Sequence, residues 1–123
     1  MAGSPGLALA SEASILGAIR EALNLHIGVR VTRNNTGKLQ DRFGRWVTFG
    51  LGLGSPDLVG AVTMPDGIAR MFCLEVKIAA GKESPDQLAW AKEARGRGVF
   101  VATVRSVDEA LAALERAKGG GCE

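Results

Sequence analysis

The sequence predicts a small α/β domain: an αβββαβ core whose small mixed sheet carries helices on both faces. Three observations predict it. Apolar residues recur at helical spacing behind serine caps near both ends of the chain. In the middle, two strand-like stretches flank Met64-Pro65-Asp66-Gly67-Ile68, a hairpin loop by its residues. The run over 99–104 is almost wholly apolar and follows a capped helix, as expected of a parallel strand covered on both faces.

The 123 residues are the length of one domain, and 46% hydrophobic against 23% charged residues is enough apolar material for a core. Residues 1–10 and 119–123 are expected to be flexible ends around one folded domain over 11–118. No apolar run is long enough to cross a bilayer. Met1-Ala2-Gly3-Ser4-Pro5-Gly6 lacks the basic and apolar stretches of a signal peptide. Two cysteines, Cys73 and Cys122, make no disulfide framework and read as free thiols in a reducing cytoplasm.

Ser11 is a plausible cap for the first helix, with Ile15, Leu16, Ile19 and Leu23 on one stripe. Ile27, Val29 and Val31 alternate with polar residues, the period of a half-buried strand. Asn34-Asn35-Thr36-Gly37 ends it with turn chemistry. Residues 38–54 read as a long basic loop holding one short strand, 46–49. A strand over 58–64 and a return strand over 70–78 follow. The return strand keeps Phe72, Leu74, Val76 and Ile78 on one face and Cys73, Glu75 and Lys77 on the other.

Ser84-Pro85-Asp86-Gln87 is a capping box with proline at the first helical position. That helix reaches about Arg95, and Gly96 and Gly98 close it. Ser106 with Glu109 opens a last helix. Connecting the third strand to the fourth through a helix makes those two strands parallel. Trp46 and Trp90 are expected in the core.

Gly54-Ser55-Pro56-Asp57 and Glu75-Val76-Lys77 are the residues with chemistry to offer. If the hairpin loop has three residues, Met64 pairs with Ile68, and Asp57 then faces Glu75. Opposed side chains have Cβ atoms ~4.5–5.5 Å apart, and like charges so placed destabilise a sheet. A hard divalent cation removes that cost, and Mg²⁺ prefers oxygen ligands. Lys77 shares the face of Glu75, roughly 6.6 Å along the strand, within reach of a phosphate or an activated water. The main-chain carbonyl of Val76 is a further candidate ligand. The alternative, a surface ion pair between Lys77 and one acid, leaves two facing acids without a purpose.

Two more residues are ambiguous. Glu12 heads the inward stripe of the first helix, where it either joins the acids or favours the helix dipole. Gln87 heads an inward stripe with Trp90, Ala91 and Ala94, and is either a helix cap or a group that orients water or phosphate. The two roles of Gln87 are compatible. Between His26 and Gly50, five cations (Arg30, Arg33, Lys38, Arg42, Arg45) stand against Asp41 alone. Such a stretch suits a phosphate backbone or is simply a solvated loop.

Together these residues resemble the PD-(D/E)XK nuclease superfamily, and within it the stand-alone type of virus-type replication-repair nuclease (VRR-NUC) domain. The resemblance spans about residues 11–108. It rests on Glu12, Arg33-Asn34-Asn35-Thr36-Gly37, Gly54-Ser55-Pro56-Asp57-Leu58, Glu75-Val76-Lys77, Gln87 with Trp90, and Gly98-Val99-Phe100-Val101 with Ser106-Val107-Asp108-Glu109. It implies a restriction-endonuclease-like fold and a Mg²⁺- or Mn²⁺-dependent endodeoxyribonuclease. Asp57 and Glu75 would hold the metal, with Val76 and Glu12 as further ligands, while Lys77 and Gln87 complete the catalytic set. The implied substrate is branched double-stranded DNA, such as a Holliday junction or fork, cut by a homodimer. Arg30, Arg33, Asn35, Lys38, Arg42 and Arg45 would contact it. The implied setting is the cytoplasm of a bacterial or phage-infected cell, with no membrane and no nucleotide cofactor.

The rival reading is a non-catalytic DNA-binding protein that uses the same fold for assembly. Gly50-Leu51-Gly52-Leu53-Gly54 lacks the lysine and hydroxyl of a phosphate-binding loop. Its glycines read more simply as letting DNA come close to the metal. His26 is the only histidine, which excludes a histidine-based metal site or triad.

Overall fold

The structure, a computed structural model, describes residues 11–123. The flexible end expected over 1–10 lies outside those residues. Helix α1 (Glu12–Asn24) begins where the Ser11 hydroxyl accepts the Ser14 backbone N–H at 3.1 Å. Leu16, Ile19 and Leu23 form its buried stripe. At its end the Asn24 side chain donates to the Val31 carbonyl at 2.9 Å and accepts the Val31 N–H at 2.8 Å. This pairing ties the helix to β1 (Val29–Arg33) and occupies part of an otherwise open sheet edge. Ile27 is not in the strand; it is 96% exposed in the turn before Gly28, whose φ of +86° redirects the chain.

The stretch expected to be a loop with one strand is a two-stranded antiparallel ribbon, β2 (Gly37–Gln40) and β3 (Trp46–Phe49), separate from the main sheet. Because the ribbon has no covered face, β2 carries no alternating pattern by which to find it. For the same reason Trp46, expected in the core, is 68% exposed.

β4 (Leu58–Thr63) and β5 (Ala69–Val76) form the expected hairpin. The Met64 N–H donates to the Ile68 carbonyl at 2.9 Å, the Gly67 N–H returns to Met64 at 2.8 Å, and Asp66 Oδ1 accepts the Ile68 N–H at 2.9 Å. Gly67 has φ of +85°, where only glycine is unstrained. The resulting register pairs Leu58 with Leu74 and Val59 with Cys73. β5 continues through α2 (Pro85–Gly96) to β6 (Phe100–Val104), which lies parallel to it, and α3 (Val107–Lys118) closes the chain. The sheet order is β1-β4-β5-β6. The αβββαβ order is therefore present, with the ribbon inserted between the first and second core strands.

The two faces of the sheet are unequally covered. α1 and α3 bury Leu58, Val62, Phe72, Leu74, Val76, Phe100 and Val104 on one side, where the Phe72 and Phe100 rings stack at 5.3 Å. On the other side α2 covers only a small cluster of Cys73, Ala91, Ala94 and Val101, edged by Val59, Trp90 and Val99. Burial pushes the Cys73 thiol up to about 12, so it packs as a small apolar group. The thin cover over this second face leaves room for polar residues at its end. Ile78, expected on the core face of β5, lies beyond the strand and is exposed.

Residues 119–123, expected as a flexible tail, fold back on the domain. The Val101 N–H donates to the Cys122 carbonyl at 3.3 Å. Arg70 gathers the segment, donating to the carbonyls of Ala117, Gly121 and Gly98 at 2.7–3.1 Å. No helix among the described residues is long and apolar enough to cross a membrane.

Candidate active site

The register of the β4–β5 hairpin carries Asp57 to the position opposite Glu75. The ladder between β1 and β4 also extends one step past Leu58, because the Asn34 N–H donates to the Asp57 carbonyl at 2.8 Å. Asp57 is thus held at the frayed end of two strand pairs, where a side chain can leave the pleat. Its Oδ2 accepts the Val76 N–H at 2.9 Å. In a strand the N–H and C=O of one residue point to the same edge. The Val76 carbonyl therefore opens toward the side that Asp57 occupies.

Glu75 is the buried charged residue of the described chain, 6% exposed. Gln87 Nε2 donates to its Oε2 at 3.0 Å, and Lys77 Nζ lies 3.5 Å from the same oxygen. Burial, then the Asp57 carboxylate beside it, pushes the Glu75 carboxyl up to about 8; Lys77 offsets only part of this. These effects favour the protonated form of Glu75 when no cation is bound.

Among the described residues, protein donors reach Asp57 through Oδ2 and Glu75 through Oε2. The two carboxyls also meet each other, sharing a proton when no cation lies between them. Donors that occupy one oxygen of each acid and fix its orientation are what outer-shell partners do in metal sites. Two opposed carboxylates and an adjacent carbonyl are hard oxygen donors, and they fit Mg²⁺ or Mn²⁺.

Gln87 fills both of the roles open to it. Its Oε1 accepts the Ser84 N–H at 2.8 Å and its N–H donates to Ser84 Oγ at 3.2 Å, completing the capping box, while its amide nitrogen reaches Glu75. Glu12 is not brought to this cluster. It is exposed in the first turn of α1, where it favours the helix dipole, and no group of three or more acidic, histidine or cysteine ligands forms among the described residues.

Asn34, a turn residue by its chemistry and part of the stretch that carries the resemblance, anchors the loop before Asp57. Its Nδ2 donates to Ser55 Oγ and to the Pro56 carbonyl, each at 2.8 Å, and its Oδ1 accepts the Leu51 N–H at 3.2 Å. Gly54, expected to give DNA close approach, instead meets the protein. A Cβ there would lie 2.3 Å from the Asp86 carbonyl oxygen, and its φ is +83°. The glycine lets the loop seat against the start of α2.

The basic residues do not form one patch. Arg30 pairs with Ala61 and so stands on the α2 side of the sheet, the side of Glu75 and Lys77, four residues or roughly 13 Å along the strands from the acids. Arg33 pairs with Leu58, which is in the core under α1 and α3, so its side chain leaves the opposite face. Asn35 is exposed in the turn after β1. Lys38, Arg42 and Arg45 belong to the ribbon. No protein-family model matches this chain, and no curated protein matches it.

Proposed function

We propose that this chain is a divalent-cation-dependent endodeoxyribonuclease that hydrolyses phosphodiester bonds in branched DNA, of the Holliday-junction or fork type. The observation that carries the reading is the Asp57–Glu75 pair: two opposed carboxylates, each with one oxygen fixed by protein donors, beside Lys77 and Gln87. Keeping two facing acids ionised, one of them buried, is costly, and a shared cation removes that cost. The resemblance of the Pro56-Asp57, Glu75-Val76-Lys77 and Gln87 motifs to VRR-NUC domains supports the same reading.

Asp57, Glu75 and the Val76 carbonyl would hold Mg²⁺ or Mn²⁺, which when bound supplies activation of a water molecule and neutralisation of phosphate charge. Lys77 keeps an ammonium fixed beside Glu75, placed to stabilise negative charge gathering on the phosphate. Gln87 keeps Glu75 turned toward the site. Arg30 lies on the same side of the sheet and is available to the DNA backbone. A junction needs two cuts, and a homodimer with two-fold symmetry would supply two such sites. The reading places the chain in the cytoplasm of a bacterial or phage-infected cell.

The test is a substrate panel of linear duplex, flap, fork and four-way junction, each incubated with Mg²⁺ or with EDTA. Metal-dependent cleavage of branched forms, lost in Asp57→Ala and Lys77→Ala, is the expected result. Binding of DNA with no cleavage of any form in Mg²⁺ or Mn²⁺ would leave a DNA-binding protein and no enzyme.

A further inference from the structure

The β2–β3 ribbon presents a surface that the carboxylate site does not use. It forms its own two-stranded sheet, and Phe43 and Trp46 are 67% and 68% exposed on it. Two-stranded ribbons are marginal alone, yet this one is held in shape. Asp41 Oδ1 accepts the Phe43 and Arg45 backbone N–H groups at 2.8 and 3.0 Å, and its Oδ2 accepts Arg45 Nε at 2.8 Å. At the other end the Phe49 ring covers Gly37, where a Cβ would come within 2.7 Å of it. The tip is therefore ordered before any partner arrives, which lowers the cost of binding one.

The chemistry of the tip is aromatic and cationic together. The guanidinium carbons of Arg42 and Arg45 lie 4.9 and 5.1 Å from the centre of the Phe43 ring. Trp46 follows directly, with Lys38 on the neighbouring strand. Flat rings and guanidinium planes are what unpaired bases stack on, and the accompanying charge holds the phosphates. Three cations on the ribbon face Asp41 alone, which Arg45 already engages. That excess suits an anionic polymer better than a second copy of a basic chain. The ribbon is also continuous with the active site. Gly54 lines both the hollow against Lys38, Thr48 and Phe49 and the pocket that contains Glu75 and Gln87.

We propose that the ribbon is an arm that stacks unpaired bases of a DNA strand at a branch point and leads that strand toward Glu75. The assignment rests on the nuclease reading and deepens it. It is tested in the Trp90→Phe protein, where Trp46 is the one remaining tryptophan, with Ca²⁺ in place of Mg²⁺ to hold uncut DNA. The probes are oligothymidylate, a fork with two single-stranded arms and a continuous duplex. Trp46 fluorescence is expected to be quenched by oligothymidylate and by the fork, and little changed by the duplex. In a Phe43→Leu, Trp46→Leu double variant of the wild-type chain, the preference for fork over duplex, read by anisotropy of labelled DNA, is expected to fall about tenfold, the worth of one stacked base.

An unchanged preference, with Trp46 emission insensitive to all three DNAs, overturns the arm and leaves the nuclease reading standing. Absence of DNA binding by the wild-type chain overturns both. A Trp46 signal that follows protein concentration without DNA, together with a doubling of mass in sedimentation, assigns the ribbon to self-association and also overturns the arm.

Discussion

The Gln87 side chain bridges Ser84 and Glu75: its carbonyl oxygen accepts the Ser84 N–H at 2.8 Å and its amide nitrogen donates to Glu75 Oε2 at 3.0 Å. One residue thus caps α2 and sets the orientation of the buried acid. The two functions separate by substitution. Gln87→Glu keeps an acceptor for the Ser84 N–H, so the helix stays capped, but it replaces a donor with a second anion facing Glu75. Metal-dependent cleavage should fall by about 10–100-fold, as for other outer-shell changes, with the fold intact by circular dichroism. Gln87→Ala loses both bonds and should also lose roughly 1 kcal/mol of stability in urea.

Glu75 makes the stability of the metal-free protein depend on pH. Its carboxyl is raised from an ordinary value near 4.5 to about 8, so between those values the folded chain holds a proton that the unfolded chain has lost. Its contribution is fully present below about pH 4.5 and is lost as pH rises to about 8. Urea midpoints should decline over that window in EDTA, and Glu75→Gln should flatten the decline. Added Mg²⁺ should stabilise more at pH 8 than at pH 6, because the cation competes with the proton. A Mg²⁺ effect that is larger at pH 6 would contradict this sign.

Gly54→Ala tests the seat of the loop before Asp57. The added methyl would meet the Asp86 carbonyl at 2.3 Å from a backbone with φ of +83°, and neither neighbour is a flexible side-chain end. We expect a loss of roughly 1–3 kcal/mol, read as a lower urea midpoint at unchanged slope. Gly67→Ala shares the positive φ, but a Cβ there has open space, so it should cost less.

Local rules carried the hairpin. With Pro65-Asp66-Gly67 taken as a three-residue loop, the register follows and sets Asp57 opposite Glu75, and the hairpin has that loop and that register. The capping box of α2 was equally legible from Ser84 and Gln87. Elements without a buried face were not. Gly37–Gln40 and Trp46 read wrongly because periodicity reports burial, and the ribbon has none. The basic stretch misled because proximity in sequence ignores pleat. Arg30 and Arg33 are three positions apart and so leave opposite faces of β1. The anchoring role of Asn34 was not legible from its turn chemistry, since its partners Ser55 and Pro56 are more than twenty residues away.

Titration of Mn²⁺, followed by electron paramagnetic resonance, tests most directly whether Asp57 and Glu75 share a cation. The wild-type chain should take up Mn²⁺ at a site that Asp57→Asn and Glu75→Gln each abolish, while Arg33→Gln, on the far face of the sheet, leaves it intact. Equal Mn²⁺ uptake by the wild-type chain and both acid variants would contradict a metal held between them.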